Sequence, residues 1–358
     1  MAQGIKHRAG ALICLTCAVL AGAAAFALHT PLAWVLGPLI TTAIFSIAGV
    51  KPWAPLTGRR FGQILIGGAI GLNLTPPVVA NMVGWIPAMI VAALVAMLVG
   101  SALARGLAHF GRIDLKTAYF AMMPGGLSEM ANIGAQHGAQ NEPIALAQAL
   151  RVALVVCILP SLIVSLGIDG TFRTLDQGSD LPLPHVALLI GASLVGVGVV
   201  RLLRLNNPWM IGALIGAALL TATGHFDGRM PQPLFYLGQF LIGIAIGARF
   251  RREIVVHLVR LSLVSSVFVI IMTAIMLGYA LVLAWWDDID IASAALSSSP
   301  GGFAEMAATA ETLHLNVALV TGFHIIRALF VNSLTTFYWT ALNRIGFFTI
   351  GARKGSKG

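Results

Sequence analysis

The chain is a duplication, and both copies carry the same break. Pro-Gly-Gly-Leu-Ser-Glu-Met-Ala at 124–131 returns as Pro-Gly-Gly-Phe-Ala-Glu-Met-Ala at 300–307, with 6 identities in 8. Gly-Gln-Ile-Leu-Ile-Gly-Gly-Ala-Ile-Gly at 62–71 returns at 238–247 with 8 in 10, and Arg151 returns as Arg327. All three matches share one offset of 176, so the register runs without a gap from Gly62 to Arg151. Upstream, Trp34-Val-Leu-Gly matches Trp209-Met-Ile-Gly at an offset of 175. Shared apolar composition would scatter identities; it would not place a Pro-Gly-Gly, a Glu and an Arg in one register. The fold must therefore accept the same set of elements twice, and we divide the chain into repeats 1–176 and 177–358 that together form one domain.

Each copy reads as six apolar elements. They fall near 9–28, 32–50, 61–79, 83–108, 115–138 and 142–168, then near 184–203, 209–225, 234–248, 257–286, 291–313 and 316–342. Charged residues make up 10% of the chain and apolar types 58%, where soluble domains carry about 25% charged residues. A bilayer removes the need for a charged surface, and several runs approach the roughly 20 residues that a spanning helix requires. The expected class is an all-α polytopic membrane protein with the lipid bilayer as its solvent. Residues 1–28 have the order of a signal peptide, but their counterpart lies in mid-chain near residue 185, so they are read as the first membrane helix.

Charge sets the expected topology. The net charge is +9, but the basic residues sit in short runs between apolar segments: Lys51, Arg59 and Arg60; Arg105, Arg112 and Lys116; Arg249, Arg251 and Arg252; Arg344, Arg353, Lys354 and Lys357. This is the positive-inside pattern rather than a nucleic-acid surface, and no direct nucleic-acid partner is expected. Acidic clusters (Asp169, Asp176 and Asp180; Asp287, Asp288 and Asp290) occupy the alternate connections. Five full crossings per half, plus one broken element that enters and returns, put nearly every basic cluster on one side. The repeats are then inverted, with both termini on the cytoplasmic side of a bacterial inner membrane. Inverted repeats recur in secondary transporters, whose sites lie at the repeat interface near the midplane.

The broken elements are the candidate site. Pro124-Gly125-Gly126 and Pro300-Gly301-Gly302 interrupt helical patterns, and unwound backbone is tolerated at membrane depth only where protein buries it or a wet cavity borders it. A half-helix restarting after each break would aim free N–H groups and a positive dipole end at it, a candidate anion site. Ser128 and Ser299 add hydroxyls. Glu129 and Glu305 sit just inside the half-helices, as proton carriers, cation ligands or partners of an arginine. Arg151 and Arg327 stand about 15 Å along their helices at 1.5 Å per residue. Either they recognise a carboxylate or phosphate, or they clamp Glu129 and Glu305. His324, in the place of Gln148, has a titration range suited to proton coupling. Gln63 and Gln239 are a matched amide pair among glycines. Asn132, Gln136, His137 and Glu311 lie beyond the breaks, towards an entrance. The Gly-rich third elements leave open close packing within the monomer or a homo-oligomer.

The paired Pro-Gly-Gly-x-x-Glu-Met-Ala motif, with Gly-Gln-x-Leu-Ile-Gly upstream in each half, resembles the AbrB family of bacterial integral membrane proteins, from about residue 10 to 345. The resemblance is unrelated to the small DNA-binding fold of the same name. It implies this duplication and brings two family labels, regulator of gene expression and ammonia monooxygenase, with no assigned residues. An oxygenase needs a redox metal or organic cofactor. The nine histidines are scattered with no two at i, i+4, and Cys14, Cys17 and Cys157 lack further ligands nearby in sequence. No metal, no cofactor, no catalytic residue and no enzyme activity are expected. The connections near 169–184 and 350–358 are too short for a DNA-reading head, so regulation would be indirect. The expectation is a secondary carrier of a small anionic or zwitterionic solute, coupled to a proton or sodium. A membrane-embedded sensor using the same pocket is the alternative.

Overall fold

A computed structural model describes residues 2–168, 179–205, 207–224, 226, 228–287, 289–345 and 347, with side chains from residue 8 onward and without that of Asp287. Asp169, Asp176, Asp288, Arg353, Lys354 and Lys357 of the charge pattern lie outside the described residues. Among the described residues there are helices and no strand, with one isolated bridge between Asp180 and Arg229.

The first half contains α1 (Ala2–Ala27), α2 (Ala33–Ile47), α3 (Leu56–Leu72), α4 (Pro76–Gly84), α5 (Ile86–Gly111), α6 (Leu115–Met122), α7 (Leu127–Gln136) and α8 (Asn141–Ser165). The second contains α9 (Leu183–Leu202), α10 (Pro208–Thr221), α11 (Gln232–Gly247), α12 (Arg252–His257), α13 (Val259–Asp287), α14 (Ile291–Ser298), α15 (Phe303–Thr312) and α16 (Val317–Arg344). The expected third element of the first half is two helices: α3 and α4 meet at 89° across Asn73–Thr75, where Pro76 and Pro77 restart the chain. Among the described residues six helices are long and apolar enough to cross a membrane, namely the span Arg8–Ala27 of α1, then α5, α8, α9, α13 and α16. The helices α2, α10 and α11, with 15, 14 and 16 residues, reach only about 21–24 Å at 1.5 Å per residue, short of a hydrocarbon core of about 30 Å. Ten full-length crossings were expected from the repeat; the inner helices are shorter than that. Leu183, Leu202 and Trp285 turn outward at 80%, 83% and 82% exposure, as a lipid-facing surface requires.

The halves are not separate lobes. The helices α1–α3 pack with α9–α11 in one bundle, and α5–α8 pack with α13–α16 in a second. The first bundle depends on glycine. A Cβ on Gly67 of α3 would stand 2.7 Å from the Met210 carbonyl of α10, and one on Gly243 of α11 would stand 2.5 Å from the Val35 carbonyl of α2. Each third element thus presses its backbone onto the second element of the other half. The close packing at these glycines lies within the monomer.

The breaks are specified locally. Asp114 and Asp290 N-cap α6 and α14, accepting from Thr117 N and Ser293 N at 2.9 and 2.8 Å, which satisfies one of the free donors of a helix start. Thr117 and Ser293 in turn accept from Gln140 N and Asn316 N at the entry to α8 and α16, at 2.9 and 3.0 Å. The same three positions make the same bonds in both halves, so each broken element is tied to the long helix that follows it.

Candidate functional site

Both breaks open onto one cavity of about 290 Å³ between the two bundles. Gly125, Gly126, Ser128, Glu129 and Arg151 line it from the first half; Gly301, Gly302, Glu305, His324 and Arg327 line it from the second. Gln63 also reaches it, donating to Asn207 Oδ1 at 3.0 Å.

The arginines clamp backbone, not glutamate. Arg151 donates from Nη1 to Met123 O at 2.7 Å and from Nη2 to Gly125 O at 2.8 Å. Arg327 donates from Nη1 to Ser299 O and from Nη2 to Gly301 O, the latter at 2.8 Å. Neither lies within salt-bridge distance of Glu129 or Glu305, so of the two alternatives the Glu–Arg clamp gives way to one on the carbonyls that unwinding leaves free. A guanidinium suits this, because its planar fork delivers two parallel donors.

The two glutamates occupy the ground expected for a ligand anion. Each carboxylate folds back over the N-cap glycine of its own half-helix, where a Cβ on Gly126 or Gly302 would collide with it. A carboxylate there complements the dipole of α7 or α15. The half-helix ends are therefore already faced by negative charge. Glu305 is buried and Glu129 half-buried, while Ser128 is exposed.

His324 is committed as well. Its Nε2 lies 3.0 Å from Leu296 O, and its Nδ1 lies 2.8 Å from Arg327 Nη2. A guanidinium only donates, so Nδ1 is the acceptor and Nε2–H donates to Leu296. Both contacts require the neutral ring. Gln148 holds the matching place and donates to Phe120 O, Ala121 O and Met123 O at 2.8–3.1 Å.

Two candidates fall elsewhere. The Ser299 hydroxyl donates to Leu296 O at 2.9 Å and is buried behind the break. Gln239 donates to Thr312 Oγ1 at 3.4 Å, away from the cavity. Next to it, Asn73 donates to Glu311 Oε2 at 2.8 Å. These contacts tie α3 and α11 to the C-terminal end of α15. His137 packs on its own helix, its Nδ1 2.8 Å from Ile133 O, and Lys116 caps its carbonyl; neither it nor Asn132 or Gln136 lines the cavity.

The cavity also gathers groups read only as topology signals. Arg59, Arg60 and Arg249 line it, with Trp209 and Asn332. Arg60 stacks on Trp209, 4.8 Å from the ring centre, a cation–π contact. Among the described residues no group of three His, Cys, Asp or Glu side chains is arranged to hold a metal ion.

The amino-acid sequence matches the family model described as "Transition state regulatory protein AbrB" over residues 34–343. It is 26% identical over 342 residues to "Uncharacterized protein YhjN" of Bacillus subtilis (strain 168), covering 87% of this chain and 88% of that one. It is 27% identical over 307 residues to "Putative regulator AbrB" of Escherichia coli (strain K12), covering 84% of this chain and 87% of that one.

Proposed function

The chain belongs to the AbrB family, and we propose that it is a secondary carrier of a small anionic or zwitterionic solute. One observation carries this reading: the breaks of both repeats line a single cavity between two helical bundles, each built from both halves. A cavity of about 290 Å³ suits a small metabolite. Its basic lining residues Arg59, Arg60 and Arg249 come from the N-terminal part of α3 and just beyond the C-terminal end of α11, where the basic runs lie. The positive-inside rule makes that the cytoplasmic side of a bacterial inner membrane. The contacts Asn73–Glu311 and Gln239–Thr312 then sit on the opposite side, and alternating access would require α15 to part from α3 and α11. Inverted repeats suit such exchange, because one break enters from each side. Glu129 and Glu305 are the groups left to carry a proton or meet sodium. No residue is assigned a catalytic role.

The name of the Escherichia coli relative, "Putative regulator AbrB", favours a second reading, a membrane-embedded sensor that binds solute in the same cavity and acts on gene expression indirectly. Flux separates the two. Protein reconstituted in sealed proteoliposomes should accumulate a labelled solute, and Arg249→Gln should abolish accumulation. Binding without flux in any lipid composition would favour the sensor.

A further inference from the structure

The cavity contains charge that its clamps do not use. Arg59 and Arg249 line it, and among the described residues no hydrogen bond or ion pair holds either guanidinium. Arg249 feels the positive charge of Arg59. Glu129 and Glu305 face the same space from the first turns of α7 and α15. Both carboxylates act electrostatically on Arg249, and both arginines act on Glu305. No Arg–Glu pair among these four closes to the 4.0 Å of a salt bridge. Arg59 and Arg249, beside an Arg60 already held over Trp209, therefore face Glu129 and Glu305 of the other bundle across an open gap.

The ligand must suit both sides. A simple anion would satisfy the arginines but bring a third negative charge towards the glutamates. A dianion would make this worse unless protons came with it. Desolvating net charge is costly, whereas opposite charges that each find a partner offset that cost. A solute with a carboxylate at one end and an ammonium at the other adds no net charge and satisfies both arrays. The wall also carries apolar side chains, among them Ile211, Ile242 and Ile246.

We propose that the ligand is an amphoteric amino carboxylate of amino-acid size. Its carboxylate lies between Arg59 and Arg249, its ammonium faces Glu129 and Glu305, and its side chain lies along the isoleucines. The inference rests on the cavity being a solute site, as in the proposed function, but not on transport.

Titration calorimetry on the full-length detergent-purified protein tests it at neutral pH. The proteinogenic amino acids are compared first, and the tightest binder is then set against its deaminated acid and its decarboxylated amine. The amino acid should bind at least about tenfold more tightly than either analogue, the loss expected for one charged hydrogen-bonding partner. Arg249→Gln should weaken the amino acid and the acid by about tenfold each, and Arg59→Gln serves if that variant has a lowered unfolding midpoint. Glu129→Gln should weaken the amino acid while strengthening the acid, because a repelling charge is gone. The inference is overturned if the acid alone binds as well as the amino acid, or if no amino acid binds. Amino-acid binding without flux would sink the carrier reading and leave this one standing; flux of a carboxylate lacking an amine would do the reverse.

Discussion

Gln148 and Arg151, one turn apart on α8, converge on the same acceptor, the carbonyl of Met123, at 2.8 and 2.7 Å. Their counterparts His324 and Arg327 reach the matching stretch of the second half but also bond each other at 2.8 Å. Each half thus spends two polar side chains on the backbone that Pro-Gly-Gly frees. Non-helical backbone at membrane depth is stable only when such partners exist.

Truncating the clamp should therefore cost stability before it costs recognition. Arg151→Ala leaves the Met123 contact to Gln148 alone and the Gly125 carbonyl without its guanidinium. We expect a loss of about 3 kcal/mol, the scale of charged hydrogen bonds and a stranded acceptor. Arg151→Lys should restore less than half of it, because a point charge cannot reproduce the fork. Denaturant or thermal unfolding in detergent reads both. A variant as stable as wild type, with ligand binding lost, would make Arg151 a recognition residue instead.

His324 offers a sharper test of coupling. Its Nδ1 accepts from Arg327 and its Nε2–H donates to Leu296, so a second ring proton would have to replace an accepted hydrogen bond with a donor facing a cation. His324→Gln installs the residue of the first half. We expect stability to stay within about 1 kcal/mol of wild type, one net hydrogen bond, and the pH profile of flux to be unchanged. A shifted pH profile would return His324 to the proton path.

How much of this was legible follows from what duplication records. The two breaks, their glutamates and their arginines stood out because each has a twin at offset 176, and they do line one cavity. Arg59, Arg60 and Arg249 were visible only as flanking charge. They become lining residues because α3 and α11 cross between the halves, and no local pattern announces that contact. Gln239 shows the converse error: Gln63 donates to Asn207 of the other half while its twin donates to Thr312 of its own, so a matched position does not guarantee a matched environment. The Glu–Arg clamp failed for a further reason. An unwound backbone offers carbonyls closer to each arginine than the glutamate, which turns to its own helix start.

The crossing of the halves should be intolerant of a single methyl group. Gly67→Ala and Gly243→Ala would each drive a Cβ against a backbone carbonyl of the other half, at 2.7 and 2.5 Å, which backbone cannot relieve by a rotamer change. Overpacking of this kind costs about 1–3 kcal/mol. Gly191→Ala, where nothing lies within 4 Å, is the control and should be neutral or slightly stabilising. Equal unfolding midpoints for all three would mean the two bundle halves can slide apart freely.

Asn73→Asp probes the far side of the cavity. It replaces the amide donor that meets Glu311 at 2.8 Å with a second carboxylate, and like charges at such range repel. The end of α15 should then separate from α3 more often. In a background without Cys14, Cys17 and Cys157, Thr312→Cys should react with a water-soluble maleimide about tenfold faster when Asn73→Asp is present, equivalent to about 1.4 kcal/mol in the opening equilibrium. An unchanged rate would show that this contact does not hold the cavity shut.

Inverted repeats make a prediction that parallel repeats contradict. Leu28 follows α1 and Leu203 follows α9, the first elements of the two halves, and both are exposed, at 75% and 62%. If the halves are inverted, these equivalent turns lie on opposite faces of the membrane. Basic Arg201 and Arg204 flank Leu203, so the positive-inside rule puts it in the cytoplasm and Leu28 outside. In the same cysteine-free background, Leu28→Cys should react in intact cells with a maleimide that cannot cross the membrane. Leu203→Cys should react only after the cells are opened. Labelling of both from the same side would mean that each half crosses an even number of times, and the two breaks would no longer enter from opposite sides of the membrane.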